Sequence, residues 1–279
     1  MLLIRPKPFK DESLSGYITR LFEINNYESM IIFLKKASLY GKRLMYSPYA
    51  LDVKQLEILA ELTNVDVQIL FNCISPIFYT TVVKEDSLQF RYAIHTTKIK
   101  LCPNCLNENG YHRKIWNLSL VTICPFHNCL LVDICPKCNQ FLRIYGDKVT
   151  ICNCGFDLLN APLVEVAYDQ TIITRLFYHA LGYNIEINQS LQKTPLFKMD
   201  AIEMINIIMY LAKHFVINNR VYRHRSIMSS KIENILVHQL VVKIYEVFSN
   251  WPESFYEFLD NYESTYKTKN KGEIISRYN

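Results

Sequence analysis

Leu14, Tyr17, Ile18, Leu21 and Phe22 recur with the three- and four-residue steps of a helix that buries one face. Asp11-Glu12-Ser13 precedes them, and Ser13 offers the side-chain oxygen of an N-cap. A second periodic stretch starts near Asp52 and carries Leu56, Leu59, Ala60 and Leu62. Thr63-Asn64-Val65 breaks it, and Asp66 can cap a short helix with Val67, Ile69, Leu70 and Phe71. Helix, short turn, helix is the outline of a helix-turn-helix, although any helical bundle contains similar pairs. Leu88, Phe90, Tyr92 and Ile94 alternate, which predicts a strand.

The far end of the chain is again helical in pattern. Thr171 to Leu181, Met199 to Phe215 and Ile227 to Phe248 read as three helices, the last with Ile232, Ile235, Leu236, Leu240 and Ile244 near its inner face. Trp251-Pro252 opens a final short helix through Phe255, Phe258 and Leu259, and the polar tail from Thr265 is expected to fray. Cysteine divides the chain: residues 1–95 hold only Cys73, residues 96–160 hold the other eight, and residues 161–279 hold none. The expected fold is mainly α with a small β-containing double zinc-binding module. It comprises an N-terminal helix-turn-helix-like domain (1–95), the double zinc module (96–160) and a C-terminal helical bundle (161–279).

Composition narrows the function. Half of the 279 residues are hydrophobic and 20% are charged, which suits a packed globular protein and not a disordered polyelectrolyte. Neither GxGxxG nor GxxxxGK[ST] occurs, so a nucleotide-driven enzyme is disfavoured. The apolar run before Arg5 is four residues long, too short for a signal-peptide core. Ala201 to Ile217 is interrupted by Glu203, Asn206, Lys213 and His214, which argues against a membrane span. A cytoplasmic protein is expected, nucleoid-associated when on target DNA, and there clustered thiols bind metal more readily than they form disulfides.

The cysteines fall in pairs: Cys102-Pro103-Asn104-Cys105, Cys124-Pro125-Phe126-His127, Cys135-Pro136-Lys137-Cys138 and Cys152-Asn153-Cys154-Gly155. A short knuckle presents two ligands to one ion, and zinc takes four in a tetrahedron. Four pairs therefore imply two structural Zn2+ ions. Sequential pairing joins Cys102, Cys105, Cys124 and His127, with 18 residues between the pairs, and Cys135, Cys138, Cys152 and Cys154, with 13 between. A crossed pairing stays open. In the second gap, Phe141 to Ile144 and Lys148 to Ile151 flank Tyr145-Gly146-Asp147, the pattern of a hairpin in a zinc ribbon. Both sets are complete at four ligands, no HExxH occurs, and no HxE accompanies a CxxC, so a catalytic zinc and an enzyme are disfavoured. Cys73 and Cys129 read as buried small residues. The formal charge of +5 falls to near +2 once both thiolate sites and their ions are counted, which predicts modest nonspecific DNA affinity.

The order CPxCL, YHRxxW, CPFH, an apolar pair, CPxC and CxCG resembles the TniQ family of transposon target-selection proteins. The matching residues are Cys102 to Leu106, Tyr111-His112-Arg113 with Trp116, Cys124 to His127, Leu130-Leu131, Cys135 to Cys138 and Cys152 to Gly155. Pro8, Glu12-Ser13-Leu14-Ser15-Gly16-Tyr17 and Arg20-Leu21 are similar to the family's opening, and Trp251 to Phe255 is loosely so. The resemblance implies an adaptor, not a catalyst, which recruits an AAA+ ATPase transposition regulator. Long members recognise attachment DNA themselves, whereas shorter ones ride on a CRISPR effector complex whose guide RNA chooses the target.

The candidate reading helix, Asp66 to Asn72, has no Lys or Arg, and only Gln68 and Asn72 could read base edges. That turns the expectation toward the RNA-guided mode. Direct sequence-specific DNA binding and a zinc-containing helix-turn-helix transcription regulator are the alternatives. Candidate contacts to nucleic acid or a partner are Lys35, Lys36, Lys42, Arg43, Gln68, Asn72, His112, Arg113, Arg220, Arg223 and Arg225, though a solvated basic face is the simpler reading of each lysine and arginine cluster. The apolar stretch Met199 to Phe215 suggests a homodimer interface.

Overall fold

A computed structural model describes residues 2–39, 53–74, 93–95, 98–143, 148–217 and 232–261. The fold is mainly helical with one small sheet. Helix α1 (Leu14–Ile24) starts where Ser13 caps it, its Oγ accepting from Gly16 N at 3.0 Å. Leu14, Tyr17, Ile18, Leu21 and Phe22 are buried, as their spacing predicts. Helix α2 (Met30–Lys36) packs on α1, with Phe33 meeting Phe22 edge to face. Helices α3 (Val53–Thr63) and α4 (Val67–Asn72) form the expected helix pair. Asn64 supplies the left-handed turn at φ 55°, Val65 plugs the core, and Asp66 Oδ1 caps α4 by accepting from Gln68 N at 2.7 Å. The chain leaves α4 against the start of α1, where Cys73 O accepts from Leu14 N at 3.1 Å.

The central segment is mostly turns and single bridges. Helix α5 (Pro103–Asn109) follows Cys102 directly and ends at Gly110, whose φ of 71° suits glycine. Strands β1 (Ile123–Cys124) and β2 (Cys129–Leu130) pair antiparallel, Ile123 opposite Leu130 and Cys124 opposite Cys129. Of the strand expected over 88–94, residues 88–92 lie outside the described residues, and Ile94 makes one bridge to Leu118. The tip of the expected ribbon hairpin also lies outside them. Its described flanks do not pair with each other: Phe141 bridges Ile134, Arg143 bridges Lys98, and Ile151 bridges Asp157. The Cys135 and Cys152 pairs are thus each closed by a local fold-back.

The C-terminal part comprises α6 (Ile172–Ala180), the short α7 (Gln189–Gln192), α8 (Ala201–Ile217), α9 (Asn234–Ser249) and α10 (253–261). Residues 227–231, the predicted start of the third helix, lie outside the described residues, and Ile232 and Glu233 precede the helix. It begins at Asn234 because Asp133 Oδ2 accepts from Asn234 N at 2.8 Å. Asn234 Nδ2 also donates to Thr122 O at 2.7 Å and Leu131 O at 2.8 Å, tying α9 to the backbone between the two cysteine clusters. Two fully buried lysines brace the same region. Lys98 Nζ meets Asp133 Oδ2 at 3.0 Å, and Lys100 Nζ donates to the carbonyls of Leu118, Ser119 and Val121, three acceptors for three ammonium hydrogens. No helix among the described residues is long and apolar enough to cross a membrane.

Candidate metal centres

The eight predicted ligands gather in two groups of four with the sequential pairing, not the crossed one: Cys102, Cys105, Cys124 and His127, then Cys135, Cys138, Cys152 and Cys154. In the first group Cys102 caps α5 and Cys105 lies in its first turn, while Cys124 ends β1 and His127 sits in the turn to β2. Cys105 Sγ and Cys124 Sγ are 3.5 Å apart, and His127 Nδ1 lies 3.4, 3.4 and 3.5 Å from the sulfurs of Cys102, Cys105 and Cys124. In the second group Cys135 Sγ lies 3.6 Å from Cys154 Sγ, and Cys138 Sγ 3.9 Å from Cys152 Sγ. A zinc tetrahedron with Zn–S near 2.3 Å and Zn–N near 2.05 Å has edges of about 3.8 Å (S to S) and about 3.6 Å (S to N). Both groups fit those edges, so each can hold one metal ion.

The electrostatics agree. Hydrogen bonds from Cys105, then from Cys124 and Cys129, pull Cys102 far below the usual thiol range, and contact with Cys102 pushes Cys105 and Cys124 above it. Three packed sulfurs cannot all ionise beside one another, and a divalent cation is what permits all three thiolates. The groups differ in access. The first three cysteines are buried to within 1% of complete, whereas Cys138, Cys152 and Cys154 are half-buried.

Two residues that the spacing did not point to border the first group. Cys129 is buried with its Sγ 3.7 Å from Cys102 Sγ, so its thiol can donate to the Cys102 thiolate; contact with Cys102 pushes it up to about 12. Glu108 Oε1 lies 2.9 Å from His127 Nε2. A third grip comes from α6. Arg175 is buried with no carboxylate partner among the described residues, and its guanidinium donates to Pro125 O at 3.0 Å, Asn128 Oδ1 at 2.8 Å and Thr171 Oγ1 at 2.9 Å. It therefore holds the knuckle on both sides of His127.

His112 and Arg113, singled out as contact residues, are engaged inside the protein. His112 is 3% exposed; its Nε2 donates to Lys100 O at 3.0 Å, so its Nδ1 accepts from Ser13 Oγ at 2.8 Å. Burial lowers its pKa to about 4 and keeps it neutral. Ser13 N also donates to His112 O at 2.8 Å. Arg113 pairs with Asp11, and Tyr111 Oη donates to the other oxygen of Asp11 at 2.5 Å. Next to them Arg20 grips the fully buried Glu12 in a bidentate pair at 2.8 and 2.7 Å, and Tyr17 Oη donates to Pro6 O at 2.9 Å. The opening motif and the YHR motif are thus two halves of one joint.

Of the remaining candidates, Lys35 and Lys36 are exposed on the last turn of α2, where cations oppose the helix dipole. Gln68 and Asn72 are exposed on α4 and their side chains pair with each other at 3.4 Å. Lys42, Arg43, Arg220, Arg223 and Arg225 lie outside the described residues.

Residues 3–131 match the family model described as TniQ, the family that the Cys/His order resembles. The match takes in the N-terminal helices, the joint and the whole first ligand group, and stops before the second. No curated protein matches the chain. The TniQ match supports a role in selecting targets for DNA transposition.

Proposed function

We propose that the chain is a target-selection adaptor for DNA transposition that works through protein contacts, linking an RNA-guided CRISPR effector complex to an AAA+ ATPase regulator. The observation that carries this reading is the TniQ match over residues 3–131, which coincides with the joint and the first metal centre. The RNA-guided mode is supported by α4, the second helix of the pair: six residues without a Lys or Arg, its only amide side chains paired to each other. Two Zn2+ ions would cross-link the loop-rich centre, which has little regular structure of its own. Cys102, Cys105, Cys124 and His127 would hold one ion, and Cys135, Cys138, Cys152 and Cys154 the other. Both are structural in this reading, because four protein ligands leave no open position for a substrate. The protein itself then carries out no chemical step.

The test is a tagged pull-down from the native host at moderate salt, with bound proteins and RNA identified. Effector subunits with guide RNA, together with an AAA+ ATPase, are the expected catch. The ATPase without effector or RNA would replace the tethered mode by direct DNA recognition. Neither partner, with occupancy at a promoter instead, would replace both by a transcription regulator.

A further inference from the structure

His127 faces the first ligand group with one ring nitrogen only. Nδ1 lies 3.4 to 3.5 Å from the three sulfurs, while Nε2 points away, 2.9 Å from Glu108 Oε1. A ring nitrogen that binds a cation carries no proton, so the other carries the hydrogen and donates it. Glu108 is placed for that role by α5, which Cys102 caps and which carries Cys105. It follows Cys105 by three residues, one turn along α5, and so lies on the same face. Asn109 Nδ2 donates to Cys105 O at 3.1 Å and ties the end of that turn to the ligand.

We propose that Glu108 is a positioning residue of the first zinc centre: it fixes His127 in the Nε2–H tautomer and makes Nδ1 the metal-binding atom. The proposal rests on the reading of this group as a zinc site. The carboxylate accepts the Nε2 hydrogen, locks the ring plane against the three sulfurs and adds electron density to the ligand nitrogen. The second group has no histidine, so nothing comparable acts there. Because the Glu108 side chain is 56% exposed, its effect belongs at the low end of the range for such partners.

The test uses the full chain. Zn2+ affinity is measured by competition with a chromophoric chelator, and Co2+ absorption separates the three-sulfur centre from the four-sulfur one. Glu108→Ala is expected to weaken the first centre by about 10-fold and leave the second unchanged. In a His127→Cys background, which keeps four ligands but has no ring to orient, Glu108→Ala is expected to change nothing. Nitrogen-15 spectra of the zinc-loaded protein should show Nδ1 metal-bound and Nε2 protonated. Unchanged affinity in Glu108→Ala, an equal loss in the His127→Cys background, or a metal-bound Nε2 would each overturn the proposal while leaving zinc in place. A wild-type chain that takes up no Zn2+ at the first group would overturn its premise as well.

Discussion

Ser13 Oγ and His112 Nδ1 lie 2.8 Å apart although 99 residues separate them in sequence. The same hydroxyl accepts from Gly16 N, so one serine both caps α1 and fixes the imidazole that precedes Arg113. His112 passes the connection on to Lys100 O, two residues before the first cysteine ligand. The N-terminal helices are thereby fastened to the metal-binding segment through a buried chain of hydrogen bonds.

Breaking that chain should cost stability. Ser13→Ala removes the cap and leaves a buried imidazole nitrogen without a donor, for an expected loss of about 1–3 kcal/mol. Urea unfolding with zinc in excess measures it. A double-mutant cycle with His112→Ala should show strong coupling, and additive losses would contradict a direct link.

Gly16 has a steric reason to be glycine. A Cβ there would come within 3.0 Å of His112 Cβ and Ser13 Oγ. Gly16→Ala is expected to destabilise by about 1–3 kcal/mol by overpacking, despite the better helix propensity of alanine. Thermal melting would show this as a lowered Tm.

Acid should weaken the joint. His112 titrates at about 4 when folded against an ordinary value of 6.5, so the unfolded chain takes the proton first. Its contribution is complete above about pH 6.5 and is lost as the pH falls toward 4, up to about 3 kcal/mol. Burial also lowers His95 and His238, which act in the same direction. Stability measured from pH 7 to 4.5, with zinc content followed alongside, should fall before zinc is released, and His112→Gln should flatten the slope.

Arg175 should matter to the first centre although it is no ligand. Arg175→Met leaves Pro125 O and Asn128 Oδ1 without their buried donor, at about 2–4 kcal/mol for two lost charged hydrogen bonds. Zinc should leave the first centre of this variant faster than in the wild type. Arg175→Lys should rescue poorly, because an ammonium cannot reproduce the planar fork.

The two centres should empty in order. A chelator reaches the half-buried Cys138, Cys152 and Cys154 before the enclosed first group. Zinc release is expected in two phases, the fast one carrying the four-sulfur Co2+ signature when cobalt is substituted. A single phase, or the reverse order, would contradict the difference in burial.

Much of this was legible in the residues. The caps at Ser13 and Asp66, the buried face of α1 and the four ligand pairs follow from spacing, since helix period and ligand knuckles are local in sequence; which pairs share a site needed the fold. What the spacing could not give was long-range. Whether His112 lay buried or exposed depended on Ser13 and Gly16, 99 and 96 positions away. Glu108 and Arg175 carry no motif of their own, and only folding brings them to His127 and its knuckle. The pairing of Phe141 with Ile134 instead of with a hairpin partner is likewise set by how the Cys135 pair closes, not by alternation.

The most direct test of the account is to map new transposon insertions in the native host by sequencing, with the chain present, deleted, and carrying Cys102→Ser. A target-selection adaptor predicts that insertions at the selected site vanish on deletion and drop sharply with Cys102→Ser, while the transposase is still produced. An unchanged insertion pattern in the deletion would contradict the central claim.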